Sequence, residues 1–137
     1  MEARRFLMEA REKVRCRMLK REASSLGWHV LHVEQVAKGF PDLLLASALH
    51  NITVYIEAKV SRRRCASKEH HLRLASKMQI WWLQRLPHSF LVVYDAEVAS
   101  VYCFDEQMNG FRFCGAAYNT EQLLNVILKE SSVVRTK

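Results

Sequence analysis

Asp42 lies in the segment Gly39-Phe40-Pro41-Asp42-Leu43, and Glu57 and Lys59 lie in Tyr55-Ile56-Glu57-Ala58-Lys59. Two carboxylates and an ammonium are what cation-assisted hydrolysis of a phosphodiester calls for. The cation neutralises charge building on the phosphate and lowers the pKa of the attacking water, and hard divalent cations take carboxylate oxygens. Strand alternation puts Glu57 and Lys59 on one face, with Ala58 on the other and its carbonyl at the edge of the site. If the two segments pair as a hairpin, Asp42 comes near Glu57 and one cation can bridge them. Without a cation, two close carboxylates raise a pKa between them. The competing reading is a surface ion pair between Glu57 and Lys59, with Asp42 merely starting a strand.

The elements that must hold these groups follow from periodicity. Residues 2–25 are rich in Ala, Leu, Met, Glu, Lys and Arg, with Phe6, Ala10, Val14, Met18 and Leu19 at near-helical intervals, which predicts a long amphipathic helix stopped by Gly27. Strands are expected at 28–33, 42–46 and 52–59, the last two as a hairpin turning near His50-Asn51. Residues 60–71, with Arg62, Arg63, Arg64, Lys68, His70 and His71, read as an exposed loop. A helix over 72–86 follows, ended by Pro87, with Leu74, Met78, Trp81, Trp82 and Leu86 on its apolar face. Strands at 90–94 and 99–104, a short strand around 111–113, and a helix over 121–129 capped by Thr120 complete the order.

A length of 137 residues suits one domain spanning 1–137. Half the residues are apolar, yet no apolar run reaches the roughly 20 residues a membrane span needs, so a membrane partner is not expected. Twenty-one Lys and Arg against fourteen Asp and Glu give a formal +7, which favours a polyanionic partner such as a nucleic acid. Arg4, Arg5, Arg11, Lys13, Arg15, Arg17, Lys20 and Arg21 make the first helix basic, as a second phosphate track or the rim of an oligomer. Cys16, Cys65, Cys103 and Cys114 have neither CxxC spacing nor histidines at zinc-ligand intervals, which argues against structural zinc and reads as reduced thiols of an intracellular protein. No export signal is expected at the start, where the residues are charged and helix-patterned.

Gly39-Phe40-Pro41-Asp42 followed by Glu57-Ala58-Lys59 resembles the motif of the PD-(D/E)xK nuclease superfamily, which includes Holliday-junction resolvases and restriction endonucleases. Ser76-Lys77-Met78-Gln79-Ile80-Trp81-Trp82-Leu83 is similar to the S-x-x-Q-x-x-W-L segment of its VRR-NUC family, and the likeness spans about residues 12–94. It implies an α/β fold with a restriction-endonuclease-like core, a mixed central β-sheet flanked by α-helices. It also implies Mg²⁺ or Mn²⁺ held by Asp42, Glu57 and the Ala58 carbonyl, with Lys59 orienting the attacking water and Gln79 positioning water, metal or phosphate. The family adds an acid from the first helix as a further metal ligand. Glu9, Glu12 and Glu22 are the candidates here, and Glu12 is preferred for its distance before Gly27. The link from Lys59 to Ser76 is longer than the family's and basic.

The activity so implied is metal-dependent endonucleolytic hydrolysis of DNA, selective for branched, flapped or junction structures or only weakly sequence-specific. Arg62, Arg63, Arg64, Lys68 and Lys77 are the expected nucleic-acid contacts, and a homodimer is a natural way to cut both strands of a junction. The alternatives are a noncatalytic nucleic-acid-binding module of the same fold and an RNA-processing endonuclease.

Overall fold

The computed structural model of the chain describes residues 5–6, 11–33 and 37–132. Helix α1 (Glu12–Ser25) leads into three strands, β1 (His29–His32), β2 (Leu43–Ser47) and β3 (Ile52–Val60). Two short helices, α2 (Lys68–Arg73) and α3 (Lys77–Arg85), then cross to β4 (Ser89–Asp95), β5 (Val98–Asp105) and β6 (Gly110–Ala117), and α4 (Thr120–Ser131) closes the order. The six strands lie in sequence order in one mixed sheet. All neighbours are antiparallel except β3 and β4. The molecule is thus α/β, two antiparallel meanders joined along one parallel seam, with helices on the faces.

The parallel pair needs a crossover, and residues 61–88 supply it. Every residue of β4 is buried, as befits a central strand covered on both sides. One face, with Val54, Ile56, Ala58, Val92 and Val101, packs under Leu19 and Ala23 of α1 and Leu123 and Ile127 of α4. The other, with Leu91, Val93 and Tyr102, packs against Leu72, Ile80 and Leu83 of α2 and α3. Register places Glu57 beside Leu91 and Lys59 beside Val93, so both project on the α3 side.

Several sequence expectations are corrected. Among the described residues the first helix starts at Glu12, and Arg5 and Phe6, expected within it, are not helical. Arg5 forms a β-bridge to Asn119, the Phe6 N–H donates to the Tyr118 carbonyl, and the Phe6 ring packs edge-on at 5.0 Å from Tyr94. Tertiary pairing there overrides helix propensity. Arg15, expected on a phosphate track or an oligomer rim, is 2% exposed, its guanidinium 4.7 Å from the Tyr94 ring centre. Burial lowers its pKa, against the nearby Tyr94 and Glu22. Of the expected loop 60–71, residues 61–67 are loop while Val60 ends β3 and α2 begins at Lys68, and the helix expected from Leu72 is split between α2 and α3. Ser67 and Ser76 each cap a helix by accepting from the backbone N–H three residues on. The last strand is longer than 111–113, and Asn119, not Thr120, caps α4. The Thr120 hydroxyl instead donates to Glu22 Oε1 at 2.7 Å, tying α4 to α1.

Candidate catalytic site

Asp42 immediately precedes β2, one step beyond the last β2–β3 pair, Leu43 with Ile56, and that step sets it opposite Glu57. The half-buried Asp42 carboxylate accepts the Ala58 N–H at 3.2 Å. A strand residue's N–H and C=O leave on the same side, so the Ala58 carbonyl also points to the edge where β2 has ended. Two residues along β3 from Glu57, Lys59 places its Nζ 4.0 Å from Glu57 Oε2 and 3.8 Å from Glu12 Oε1 in the first turn of α1. Five of the expected residues, Glu12, Asp42, Glu57, Ala58 and Lys59, are therefore together.

Glu57 is 1% exposed, and its Oε1 has no hydrogen-bond partner. Burial, then the hydrogen bond and charge of Asp42, push its carboxyl up to about 9, with Glu12 adding to the rise and Lys59 opposing it. At neutral pH Glu57 therefore keeps a proton beside Asp42. A buried carboxyl with an idle oxygen is costly unless something else takes it up. The donors present, two carboxylates and a backbone carbonyl, are the hard oxygens a Mg²⁺ or Mn²⁺ ion binds, and Mg²⁺ commonly uses only one or two carboxylates and keeps several waters. The residues thus fit such an ion. Among the described residues, the group of three side-chain ligand atoms within 4.8 Å of one another is a different one, Cys103, Cys114 and Glu130. At the acidic end Lys59 approaches both Glu12 and Glu57, so a cation there would draw on Asp42, Glu57 and the main chain.

The loop before Asp42 is fixed by α3. Gly39 has φ +78°, and a Cβ on it would lie 2.6 Å from Met78 Cβ and 2.8 Å from the Met78 carbonyl carbon. Only glycine allows this approach. Trp82 Nε1 donates to the Lys38 carbonyl at 3.0 Å, and its ring meets Phe40 edge-on at 4.9 Å. The neighbouring Trp81 is exposed instead, with the Arg85 guanidinium 4.0 Å from its ring centre. Gln79 sits in the first turn of α3 beside Gly39, but its Oε1 accepts the Ser76 N–H at 2.8 Å, completing a capping box. The Ser-x-x-Gln spacing is itself a signal for that cap. Lys77 is exposed on the same turn.

Arg62, Arg63 and Arg64 are exposed just beyond β3, and Lys68 is half-buried in the first turn of α2. Their loop is pinned, which the sequence did not reveal. Asp95, at the end of β4, accepts the Cys65 N–H at 2.7 Å, the Ala66 N–H at 2.8 Å and a hydrogen bond with His71 Nε2 at 2.7 Å. His71 Nδ1 lies 2.7 Å from the Tyr102 hydroxyl. Burial alone would raise the Asp95 pKa, but the bonds from His71, Ala66 and Cys65 outweigh it and hold the carboxyl below its ordinary value. His71, expected in an exposed loop, is buried in this latch; His70 is half-buried beside it in α2. Of the other first-helix acids, Glu22 is engaged by Thr120, and Glu9 lies outside the described residues.

No protein-family model matches the chain, and no curated protein matches it. No described helix is long and apolar enough to cross a membrane.

Proposed function

We propose that the chain is a Mg²⁺- or Mn²⁺-dependent DNA endonuclease with a restriction-endonuclease-like core, of the PD-(D/E)xK kind its motifs resemble. The observation that carries this reading is the buried Glu57 carboxyl, one oxygen idle and its pKa raised, opposite Asp42 and within ion-pair reach of Lys59. A structural ion pair has no need of a second acid in that position. The mixed sheet flanked by helices is compatible with the proposed core.

In this reading Asp42, Glu57 and the Ala58 carbonyl hold the cation. When bound, it supplies Lewis acidity and a water of lowered pKa. Lys59, held by Glu12 and Glu57, orients the attacking water and offsets charge on the phosphate. Glu12 acts through Lys59, as a positioning residue. Arg62, Arg63 and Arg64 leave the strand directly after this cluster and suit the flanking phosphates; Lys77 offers a further contact at the start of α3. Contacts of this type read the backbone and shape of nucleic acid more than its base sequence, which favours branched, flapped or junction DNA. Two copies acting together would cut both strands of such a junction.

The test is a panel of end-labelled flap, four-way junction, duplex and single-stranded DNA, and structured RNA, incubated with Mg²⁺, Mn²⁺ or chelator. Metal-dependent cutting of branched DNA, lost in Asp42→Ala and Lys59→Ala, is the expected result. Binding with no cutting under either metal would reassign the chain to a noncatalytic binding module, and preferential cutting of RNA would change the substrate class.

A further inference from the structure

Far along the sheet, the β5–β6 hairpin and the end of α4 bring together three ligand-bearing side chains that the proposed nuclease chemistry does not use. The β5–β6 ladder pairs Tyr102 with Phe113 but Val101 with Gly115, so Cys114 is the extra residue of a bulge. Bulges re-aim side chains. Here the Cys114 Sγ lies 3.1 Å from the Sγ of Cys103 on the neighbouring strand. Glu130, in the last turn of α4, sets Oε1 3.7 Å from Cys103 Sγ. The three ligand atoms all lie within 4.8 Å of one another.

We propose that Cys103, Cys114 and Glu130 form a binding site for a thiophilic divalent cation, with zinc the occupant their donor set favours. Tetrahedral zinc holds thiolate sulfur at about 2.3 Å and carboxylate oxygen at about 2.0–2.2 Å, which sets neighbouring ligand atoms roughly 3.5–3.8 Å apart. The sulfur–oxygen distance already matches, and a small outward rotation of one thiol opens the sulfur pair. Cys103 is buried, whereas Cys114 and Glu130 are half-buried, so the site has a closed floor and an open side for entry and for a water as fourth ligand.

The surroundings fit as well. Arg112 donates to Glu130 Oε1, the oxygen that also faces Cys103, and its Nε lies 3.2 Å from Asp105 Oδ2, so the carboxylate is held by a hydrogen bond, as ligating carboxylates usually are. Two thiolates and one carboxylate bring three negative charges, which a divalent cation largely offsets, with Arg112 shared between Glu130 and Asp105. Soft thiolates select zinc over Mg²⁺, so the ion proposed for the Asp42–Glu57 end would not compete here. Cysteine spacing along the sequence argued against zinc because these ligands converge only through a bulge and a helix returning to the sheet.

Cobalt(II) titration of the reduced, chelator-treated full chain tests the site. Cobalt bound to thiolate gives a near-ultraviolet charge-transfer absorption that an all-oxygen site cannot produce. One equivalent of cobalt should generate the band, and zinc should displace it and raise the melting temperature. Cys114→Ser and Cys103→Ser should abolish the band, and Glu130→Gln should weaken binding on the order of 10-fold or more. Because Cys103 is buried, the half-buried Cys114 and Glu130 variants, checked for native circular dichroism, carry the decision. Cys65→Ser and Asp42→Ala should leave the band intact, and the Asp42 variant separates failure here from failure of the nuclease reading. Absence of the band in the reduced wild type, its persistence in Cys114→Ser, or a Cys103–Cys114 disulfide forming under mild oxidant with no cobalt or zinc bound would each overturn the proposal.

Discussion

Glu57 near the end of β3 and Asp95 at the end of β4 are buried carboxyl groups on adjacent parallel strands, and the fold treats them in opposite ways. Asp95 is saturated: two backbone N–H groups and an imidazole meet its oxygens, and its pKa falls despite burial. Glu57 is left short, with an idle oxygen, a neighbouring acid and a pKa pushed up to about 9. Burial is common to both, so hydrogen-bond supply makes the difference. The saturated group is a structural latch for the arginine loop. The short-changed group is where a ligand would complete what the protein leaves undone, and perturbed groups of that sort concentrate at functional sites.

The largest effect that would sharpen this contrast is on activity. Asp42→Ala or Lys59→Ala should lower metal-dependent cutting by roughly 10²–10⁴-fold with the melting temperature little changed, read by single-turnover cleavage. Equal cutting by these variants would remove the functional half of the comparison.

Next in size is stability. Asp95→Ala strands the buried His71 and two part-buried N–H groups, and should cost about 3–5 kcal/mol in urea unfolding. Glu57→Gln, which imitates the protonated acid, should change stability by less than about 1.5 kcal/mol. If both cost the same, the two environments are not different in kind.

The pH dependence has opposite signs at the two sites. Glu57, with its folded pKa raised, favours the folded state at low pH, and that contribution drains away as pH climbs from the ordinary carboxylate range toward about 9. Asp95, with its folded pKa lowered, contributes stability above the ordinary aspartate range and loses it as pH falls through its folded value. Urea midpoints across pH should therefore lose their decline between the ordinary carboxylate range and about pH 9 in Glu57→Gln, and part of their acid slope in Asp95→Asn. The smallest effect concerns the loop the latch presents. Arg63→Ala should weaken DNA binding modestly and reduce the slope of log affinity against log salt by about 1.

The juxtaposition of Asp42, Glu57 and Lys59 was legible because strand alternation and a local hairpin are short-range properties, and the proline-led segment marked where β2 begins. Glu12 was preferred over Glu9 for its distance before Gly27, which matches the family likeness. The latch was not legible: His71, Asp95 and Tyr102 come from a helix and two strands, and nothing in their spacing signals that they meet. Gln79 shows a subtler failure, since one Ser-x-x-Gln pattern served both as a family likeness and as a helix cap, and the cap engages its amide oxygen. The helix expected from Glu2 failed at Phe6, where pairing with Tyr118 and packing on Tyr94 outcompete local preference.

The lone parallel seam has a kinetic corollary. Strands β1–β3 and β4–β6 are meanders of neighbours in sequence, each able to zip from its own turns, whereas β3 can meet β4 only after residues 61–88 have crossed between them. Joining the two halves is then the slow event in assembly, and it is also what buries Glu57 against Leu91. A chain caught before that event would carry two nearly finished sheets, with Glu57 not yet covered by β4.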